Sequence, residues 1–196
     1  MIKRAFDIVV SATALFLLLP LFLLLAFAVA LSSPGGAFFR QVRVGRAGQE
    51  FGLLKFRSMR PGSEAKGQIT VGGRDPRITG VGYFLRKSKL DELPQLINVL
   101  VGDMSIVGPR PEVPKYVALY TTEQRQVLTV RPGITSLASI AYINENELLG
   151  KSKDPERTYI DEVMPAKLAL DLRYVREKSL TRDFGIIFGT LRRLFT

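Results

Sequence analysis

The chain has 196 residues, a net charge of +10, and neither His nor Cys. Disulfides, thiolate metal sites and imidazole catalysis are therefore excluded, which leaves Asp and Glu as the leading candidates for a nucleophile or base. So basic a balance calls for an anionic partner: nucleic acid, acidic lipid headgroups or a phosphorylated substrate.

Residues 8–31 carry no charge and are dominated by Leu, Phe, Ala and Val. A straight helix of that length reaches about 36 Å, enough to span a bilayer. A secretory signal has a shorter apolar core, and the core helix of a soluble protein is rarely this long. Pro20 interrupts the run, and a mid-helix proline removes a hydrogen bond and bends the axis. Lys3 and Arg4 precede the run; Arg40, Arg43 and Arg46 follow it. Positive charge on both flanks places both on the cytoplasmic side. A kinked helical hairpin that enters and leaves by one leaflet satisfies both facts. A bitopic helix kinked at Pro20 is the alternative, and local physics leaves the two open. Asp7 is expected at the start of this helix, paired with Arg4.

Pro34-Gly35-Gly36 ends the helix. Residues 38–44 read as a strand, 45–48 as a turn and 50–59 as a second strand. Residues 60–73 are a loop rich in Gly, Ser and charge, and Asp75-Pro76-Arg77 is a turn. A helix over 81–89 carries Arg86, Lys87 and Lys89. Apolar residues at 93, 96, 97 and 100 give the helical period, so Asp91 and Glu92 fall at or near a helix start, with Pro94 tolerated in the first turn. Residues 111–114 break the chain, 113–130 read as a helix, and 131–135 as a turn. A long helix over 154–178 is interrupted near Pro165. Residues 184–195 set Phe184, Ile187, Phe188, Leu191 and Phe195 against Arg182, Arg192 and Arg193. That pattern suits either an interfacial amphipathic helix or one packed on the core.

The organising stretch runs from Lys89 to Pro111. Asp91 and Glu92 open it; Arg110, held between Pro109 and Pro111, closes it. Arg74, Arg77, Arg86, Lys87 and Lys89 crowd the acids from upstream. Adjacent carboxylates on a helix diverge by about 100°, so they cannot form a symmetric dyad, and separate roles are expected. A helix start and nearby arginines favour the ionised form of Asp91. Arg110, Lys55, Arg57, Arg86 and Arg131 are candidate phosphate ligands, each with a plain structural alternative as a loop or strand-face residue. Gly102, Gly108 and Gly133 let backbone approach a ligand or simply turn. Neither glycine-rich nucleotide-binding fingerprint is present.

Lys-Phe-Arg-Ser-Met at 55–59, Asp-Glu-Leu-Pro-Gln-Leu-Ile-Asn-Val-Leu at 91–100, Gly-Asp-Met-Ser-Ile-Val-Gly-Pro-Arg-Pro at 102–111 and Arg-Pro-Gly-Ile-Thr at 131–135 resemble the bacterial sugar transferase family. These are small monotopic phosphoglycosyl transferases that start glycan assembly on polyprenyl phosphate. The resemblance covers nearly the whole chain. It implies transfer of a sugar-1-phosphate from a UDP-sugar to undecaprenyl phosphate in two steps. Asp91 takes the phosphosugar and releases UMP; the lipid phosphate then displaces Asp91. Glu92 is implied as the second acid, Mg²⁺ as cofactor at Asp91, and Lys55, Arg57, Arg86, Arg110 and Arg131 as phosphate or uridine contacts. It also favours the re-entrant form of the first helix, with Pro20 at the break, in the bacterial inner membrane with the catalytic domain on the cytoplasmic face. It implies membrane lipid but no nucleic acid as partner, and does not give the oligomeric state. In some members the break is Ser-Pro; here it is Leu19-Pro20. Many members continue Gly-Trp-Ala-Gln after the Arg-Pro-Gly-Ile-Thr motif; here Ser136-Leu137-Ala138-Ser139 stands instead, so the sugar does not carry over.

The expected architecture is α/β, mainly α with a small β-hairpin or sheet. A re-entrant helix over 1–34 precedes a cytoplasmic catalytic domain over 35–196. The rival from another class is a non-catalytic, membrane-anchored basic binder of anionic lipid or nucleic acid, which would tolerate loss of both acids.

Overall fold

The computed structural model describes residues 2–63, 67, 69–72 and 75–194. Part of the 60–73 loop, Arg74 and Phe195 lie outside the described residues.

Helices α1 (Ile2–Leu17) and α2 (Leu19–Ser32) meet at a bend of 67°. The break falls at Leu18, and Pro20 sits in the first turn of α2. A first-turn proline loses no intrahelical bond that it would otherwise make. Leu18 N still donates to Ala14 O at 2.9 Å and Phe22 N to Leu18 O at 2.8 Å, so the ladder is interrupted only between them. Among the described residues no single helix is long and apolar enough to cross a membrane, whereas this bent pair together meets the length and composition for it.

Both outer ends of the pair dock on the same domain. Arg4 donates to Val99 O at 2.6 Å and Leu100 O at 3.0 Å. The expected Arg4–Asp7 pair is therefore not made. Asp7 instead takes Lys3 at 3.1 Å, Ser105 Oγ at 2.8 Å and Ile106 N at 3.2 Å. At the other end Leu25 and Val29 of α2 pack with Phe56 and Leu85. The polarity of α1 is inverted relative to a soluble helix: Asp7 and Ser11 are buried while Phe16 is 78% exposed.

Strands β1 (Phe38–Val44) and β2 (Glu50–Phe56) form an antiparallel hairpin in register from Phe38↔Phe56 to Val44↔Glu50. The second strand stops at Phe56, short of the expected 59; Met59 makes only an isolated bridge to Ile78. The hairpin is the spine of the domain. Val44, Leu53 and Phe56 each belong to a different one of three apolar clusters.

Helix α3 (Gly80–Lys87) is capped by Thr79, which accepts from Gly82 N at 2.9 Å. It ends before Lys89, which takes a left-handed conformation. A 3₁₀ turn, Leu90–Glu92, leads through Pro94 into α4 (Gln95–Val101), which closes at Gly102 with φ 104°. Strand β3 (Ser105–Val107) then pairs in parallel with β4 (Gly133–Thr135). The expected 131–135 turn is thus partly a strand. Its glycine faces Gly108 rather than a ligand: a Cβ on Gly133 would lie 2.1 Å from Gly108 N.

Residues 113–130 do not form one helix. They give α5 (Pro114–Val117) and a 3₁₀ helix, Gln124–Thr129. Thr121 and Gln124 explain the split: Gln124 N donates to Thr121 Oγ1 at 3.2 Å and Thr121 N to Gln124 Oε1 at 2.9 Å. Such a reciprocal cap starts a new helix. Helices α6 (Leu137–Ala141) and α7 (Glu145–Gly150) follow. Then α8 (Pro155–Thr158), a π turn Tyr159–Val163 and α9 (Met164–Glu177) make one nearly continuous rod, its irregularity just before Pro165 as expected. Helix α10 (Leu180–Leu194) packs one side on the domain, one of the two readings expected, and leaves an apolar side exposed. It buries Asp183 and Ile186 while Phe184, Phe188 and Leu191 stay exposed. The architecture is a mainly helical α/β fold with small two-stranded sheets.

Candidate active site

Three segments converge on Asp91 and Glu92. Asn98, buried in α4, ties the helix to β2. Its side chain accepts from Leu54 N at 2.9 Å and donates to Gly52 O at 2.9 Å. That clamp fixes Lys55, the next strand residue, opposite the acids. The Pro-Arg-Pro turn after β3 supplies Arg110. Glu92 Oε1 then accepts from Lys55 Nζ at 3.1 Å and from Arg110 Nη2 at 2.9 Å. Asp91 is 4% exposed, and among the described residues its carboxylate has no hydrogen bond or ion pair.

The two acids titrate in opposite directions. Burial pushes Asp91 above its ordinary value, with Lys55 opposing and Glu92 adding to the rise. Burial also pushes Glu92 up, but Arg110 and Lys55 outweigh it and hold Glu92 well below the usual carboxylate range. Arg110 is raised by Glu92 against its own burial. Lys55 is lowered by burial, partly offset by Glu92 and Asp91. The sequence favoured an ionised Asp91 through a helix dipole. In the structure Asp91 sits in a three-residue 3₁₀ turn ahead of a seven-residue helix, and desolvation dominates.

Asp91 and Glu92 line a cavity of about 320 Å³. A second chamber of about 210 Å³ adjoins it. Lys55, Arg86, Arg110 and Lys167 line both, so four cations stand where the chambers meet. The Asp91 chamber also has apolar walls from Leu93, Leu96, Ile134 and Ile143. The adjoining chamber is lined by Arg43, Tyr116, Tyr159 and the 56–63 segment. Cations at such a junction suit a diphosphate, and a neighbouring unpartnered carboxylate suits attack on phosphorus.

The sequence candidates separate into groups. Asp91, Glu92, Lys55, Arg86 and Arg110 are brought together; Arg86 is steadied by a 2.9 Å bond to Thr70 Oγ1. Arg57 lines the adjoining chamber but donates to Gly36 O at 3.2 Å and Phe38 O at 2.8 Å, pinning the chain where it leaves α2. Arg131 is not brought to the acids: it lines a different cavity and donates to Gly102 O at 2.8 Å. Pro20 lies in the helix pair, away from the cleft. Lys89, read from the sequence as crowding the acids, lines the Asp91 chamber. Sequence reasoning missed Asn98 and Lys167. Lys167 is 9% exposed and pairs with Glu145 at 2.6 Å. It also missed Asp171, which accepts from Arg110 N at 3.2 Å and is pushed up to about 7 by burial. A polar residue within the apolar 93–100 pattern was the available signal for Asn98; Lys167 and Asp171 lie about 75 residues further on, with no local mark.

Among the described residues no group of three or more acids is placed to hold a metal by itself. Magnesium commonly takes one or two carboxylates and completes its shell with water and substrate phosphate. The unpartnered Asp91 beside a phosphate-sized cationic junction fits that pattern.

The chain matches the family described as bacterial sugar transferase over residues 1–196. It is 40% identical over 202 residues to the UDP-glucose:undecaprenyl-phosphate glucose-1-phosphate transferase of Escherichia coli (strain K12), covering 100% of this chain and 40% of that protein. It is 38% identical over 200 residues to the UDP-N-acetylgalactosamine-undecaprenyl-phosphate N-acetylgalactosaminephosphotransferase of Aeromonas hydrophila, covering 100% of this chain and 44% of that protein. It is 40% identical over 197 residues to the exopolysaccharide production protein PSS of Rhizobium leguminosarum bv. phaseoli, covering 97% and 93% respectively. The chain thus spans less than half the length of the first two.

Proposed function

This chain belongs to the bacterial sugar transferase family, and from that premise we propose that it transfers a sugar-1-phosphate from a UDP-sugar to undecaprenyl phosphate. One observation supports the reading most: a buried Asp91, unpartnered among the described residues, beside a Glu92 already committed to Lys55 and Arg110.

The diphosphate of the donor sits against Lys55, Arg86, Arg110 and Lys167. Asp91 Oδ attacks the phosphorus that carries the sugar. A new P–O bond forms, the bond to the UMP oxygen breaks, and UMP leaves with that electron pair. The cations stabilise the charge that develops on the departing phosphate. Once UMP is gone, they are free to hold the phosphate of undecaprenyl phosphate. An oxygen of that phosphate attacks the same phosphorus and the Asp91–phosphorus bond breaks, which restores the carboxylate. Glu92 keeps Lys55 and Arg110 in place through both steps; held so far below its ordinary range, it serves as a fixed anion. Mg²⁺, when bound, would neutralise phosphate charge and favour the ionised form of Asp91. A non-catalytic binder would have no use for a buried acid left without a partner.

The apolar faces of α1, α2 and α10 lie in the cytoplasmic leaflet of the bacterial inner membrane. Arms of about 24 and 21 Å, meeting at the observed bend, put the vertex only about 12 Å from the line joining their outer ends, under half the hydrocarbon thickness. With both ends on one domain, that geometry supports re-entry. Single cysteines at Ile2 and Arg40 should label from the same side of sealed vesicles; labelling from opposite sides would establish a spanning helix.

The activity is tested by incubating the detergent-solubilised chain with undecaprenyl phosphate and a panel of UDP-sugars, following UMP and lipid-linked product. Turnover with one donor is expected. Absence of both products across the panel would refute the assignment.

A further inference from the structure

A second basic cavity, of about 420 Å³, is lined by neither Asp91 nor Glu92. Lys3, Arg4, Arg46, Arg131 and Lys178 line it, with Asp7 and Asp183 as its acids. Most of the polar capacity is already used. Lys3 bridges Asp7 at 3.1 Å and Asp183 at 2.8 Å. Asp7 also accepts from Ser105 and Ile106, and Asp183 from Tyr174 Oη at 2.7 Å. Arg4 is spent on the last carbonyls of α4. What remains is cationic. Arg46 and Lys178 have no acidic partner among the described residues. Arg131 uses only Nε, on Gly102 O. Burial, then the neighbouring Arg46 and Arg4, push its pKa down, and Asp7 only partly offsets them.

The mouth of this cavity continues into an apolar track. Helix α10 begins on its wall at Leu180, and Phe184, Phe188 and Leu191 run along the exposed side of that helix. Phe6 of α1 meets Phe184 edge-on at 5.2 Å, and Ile2 beside it is 74% exposed. A soluble phosphate would need the cations but not the track; a phospholipid needs both.

We propose that this cavity binds the phosphate headgroup of an anionic phospholipid whose acyl chains lie along the exposed faces of α1 and α10. The proposal rests on the membrane placement given above, but not on the chemistry at Asp91. The guanidinium of Arg131 offers its two terminal nitrogens as a fork for phosphate oxygens, with Arg46 and Lys178 completing the charge. The site differs from that of the acceptor lipid, because Asp91 and Glu92 do not line it. Strand β4 joins the two: Arg131 borders one end and Thr135 lines the Asp91 chamber at the other.

The test uses the full chain in phosphatidylcholine nanodiscs containing a trace of phosphatidylglycerol with a photoreactive headgroup. Crosslinks are expected to concentrate on peptides containing Arg46, residues 129–131 or 178–180. Arg46→Gln/Arg131→Gln should lower the yield by about tenfold or more, while Arg46→Lys should retain it. Lys178→Gln changes one exposed residue, leaves the fold intact, and should lower the yield by a smaller factor. Crosslinks spread over the basic surface, or a yield unchanged in both Gln variants, would overturn the site. Suppression by millimolar inorganic phosphate would show that the cavity takes free phosphate and overturn the lipid assignment. A chain that does not associate with neutral bilayers at all overturns the membrane placement together with the site. Association without crosslinking overturns the site alone.

Discussion

The Asp91 cavity and the Arg131 cavity are each lined by several basic residues, none of them shared, and differ in what answers the charge. Around Asp91 most of the cations are held in place: Lys55 and Arg110 by Glu92, Lys167 by Glu145, and Arg86 by the Thr70 hydroxyl. Their geometry is fixed before any substrate arrives, and one acid is left over. Around Arg131 the acids are consumed by Lys3 and by hydroxyl and backbone donors, and the cations are left over. A spare acid among held cations can attack phosphorus; spare cations can only bind it. Net charge does not distinguish the two cavities, but the pairing of each ion does.

The contrast breaks most sharply at Asp91. Asp91→Asn keeps shape and volume but removes the carboxylate proposed to attack, so turnover should fall by at least about 10³-fold. Because it also removes a buried charge that has no partner, the melting temperature should stay level or rise. A falling melting temperature would show that Asp91 is held by contacts that matter to the fold. Arg110→Lys should cost about 10²-fold in turnover, since a point charge cannot reproduce the fork that faces Glu92. Glu92→Gln should instead act on stability, on the order of 2 kcal/mol, by leaving two half-buried cations without their carboxylate. Glu92 has a depressed pKa in the fold, so its stabilising contribution is present above the unfolded value near 4.5 and is lost as pH falls below it. Chemical denaturation of the Gln variant should lack that acid limb.

Asp171 sharpens the comparison by its opposite sign. Its pKa is raised to about 7 by burial, so the fold holds its proton more tightly than the unfolded chain does. Wild-type stability should therefore fall as pH rises from about 4 to about 7 and level off above. Asp171→Asn keeps an acceptor for Arg110 N and removes the ionisation. It should gain on the wild type across that window, on the order of 4 kcal/mol, in denaturation midpoints measured at several pH values. A parallel pH profile for the two chains would show that Asp171 stays ionised in the fold.

How much of this was legible depended on how far each feature reaches along the chain. The hairpin at 38–44 and 50–56 was readable because its strands flank a short connection, residues 45–49, that holds the Gly45–Gly48 turn. The Asp91-Glu92 turn, α3, the rod ending at Glu177 and the amphipathic pattern of α10 were also local patterns. The parallel pair β3–β4 was not: three-residue strands nearly 30 positions apart carry no periodicity of their own, and Arg131-Pro132-Gly133 read as a turn. The 113–130 helix failed because the apolar spacing outweighed the Thr121–Gln124 cap that divides it. The partner of Asp7 was misjudged for a similar reason. Sequence offered Arg4 nearby, whereas the fold had already given Arg4 to the end of α4. Of the basic candidates, those on segments tied together by Asn98 and the Pro-Arg-Pro turn reached the acids. Arg57 lines the adjoining chamber but is engaged by backbone carbonyls, and Arg131 lies elsewhere.

The covalent role of Asp91 is tested most directly by mass spectrometry of the intact chain, incubated with its UDP-sugar and Mg²⁺ in the absence of lipid. A mass increase equal to one sugar phosphate, mapping to Asp91 and accompanied by UMP release, is expected. An adduct on another residue, or UMP that appears only when undecaprenyl phosphate is also present, would contradict the two-step exchange and leave direct transfer between the two substrates in its place.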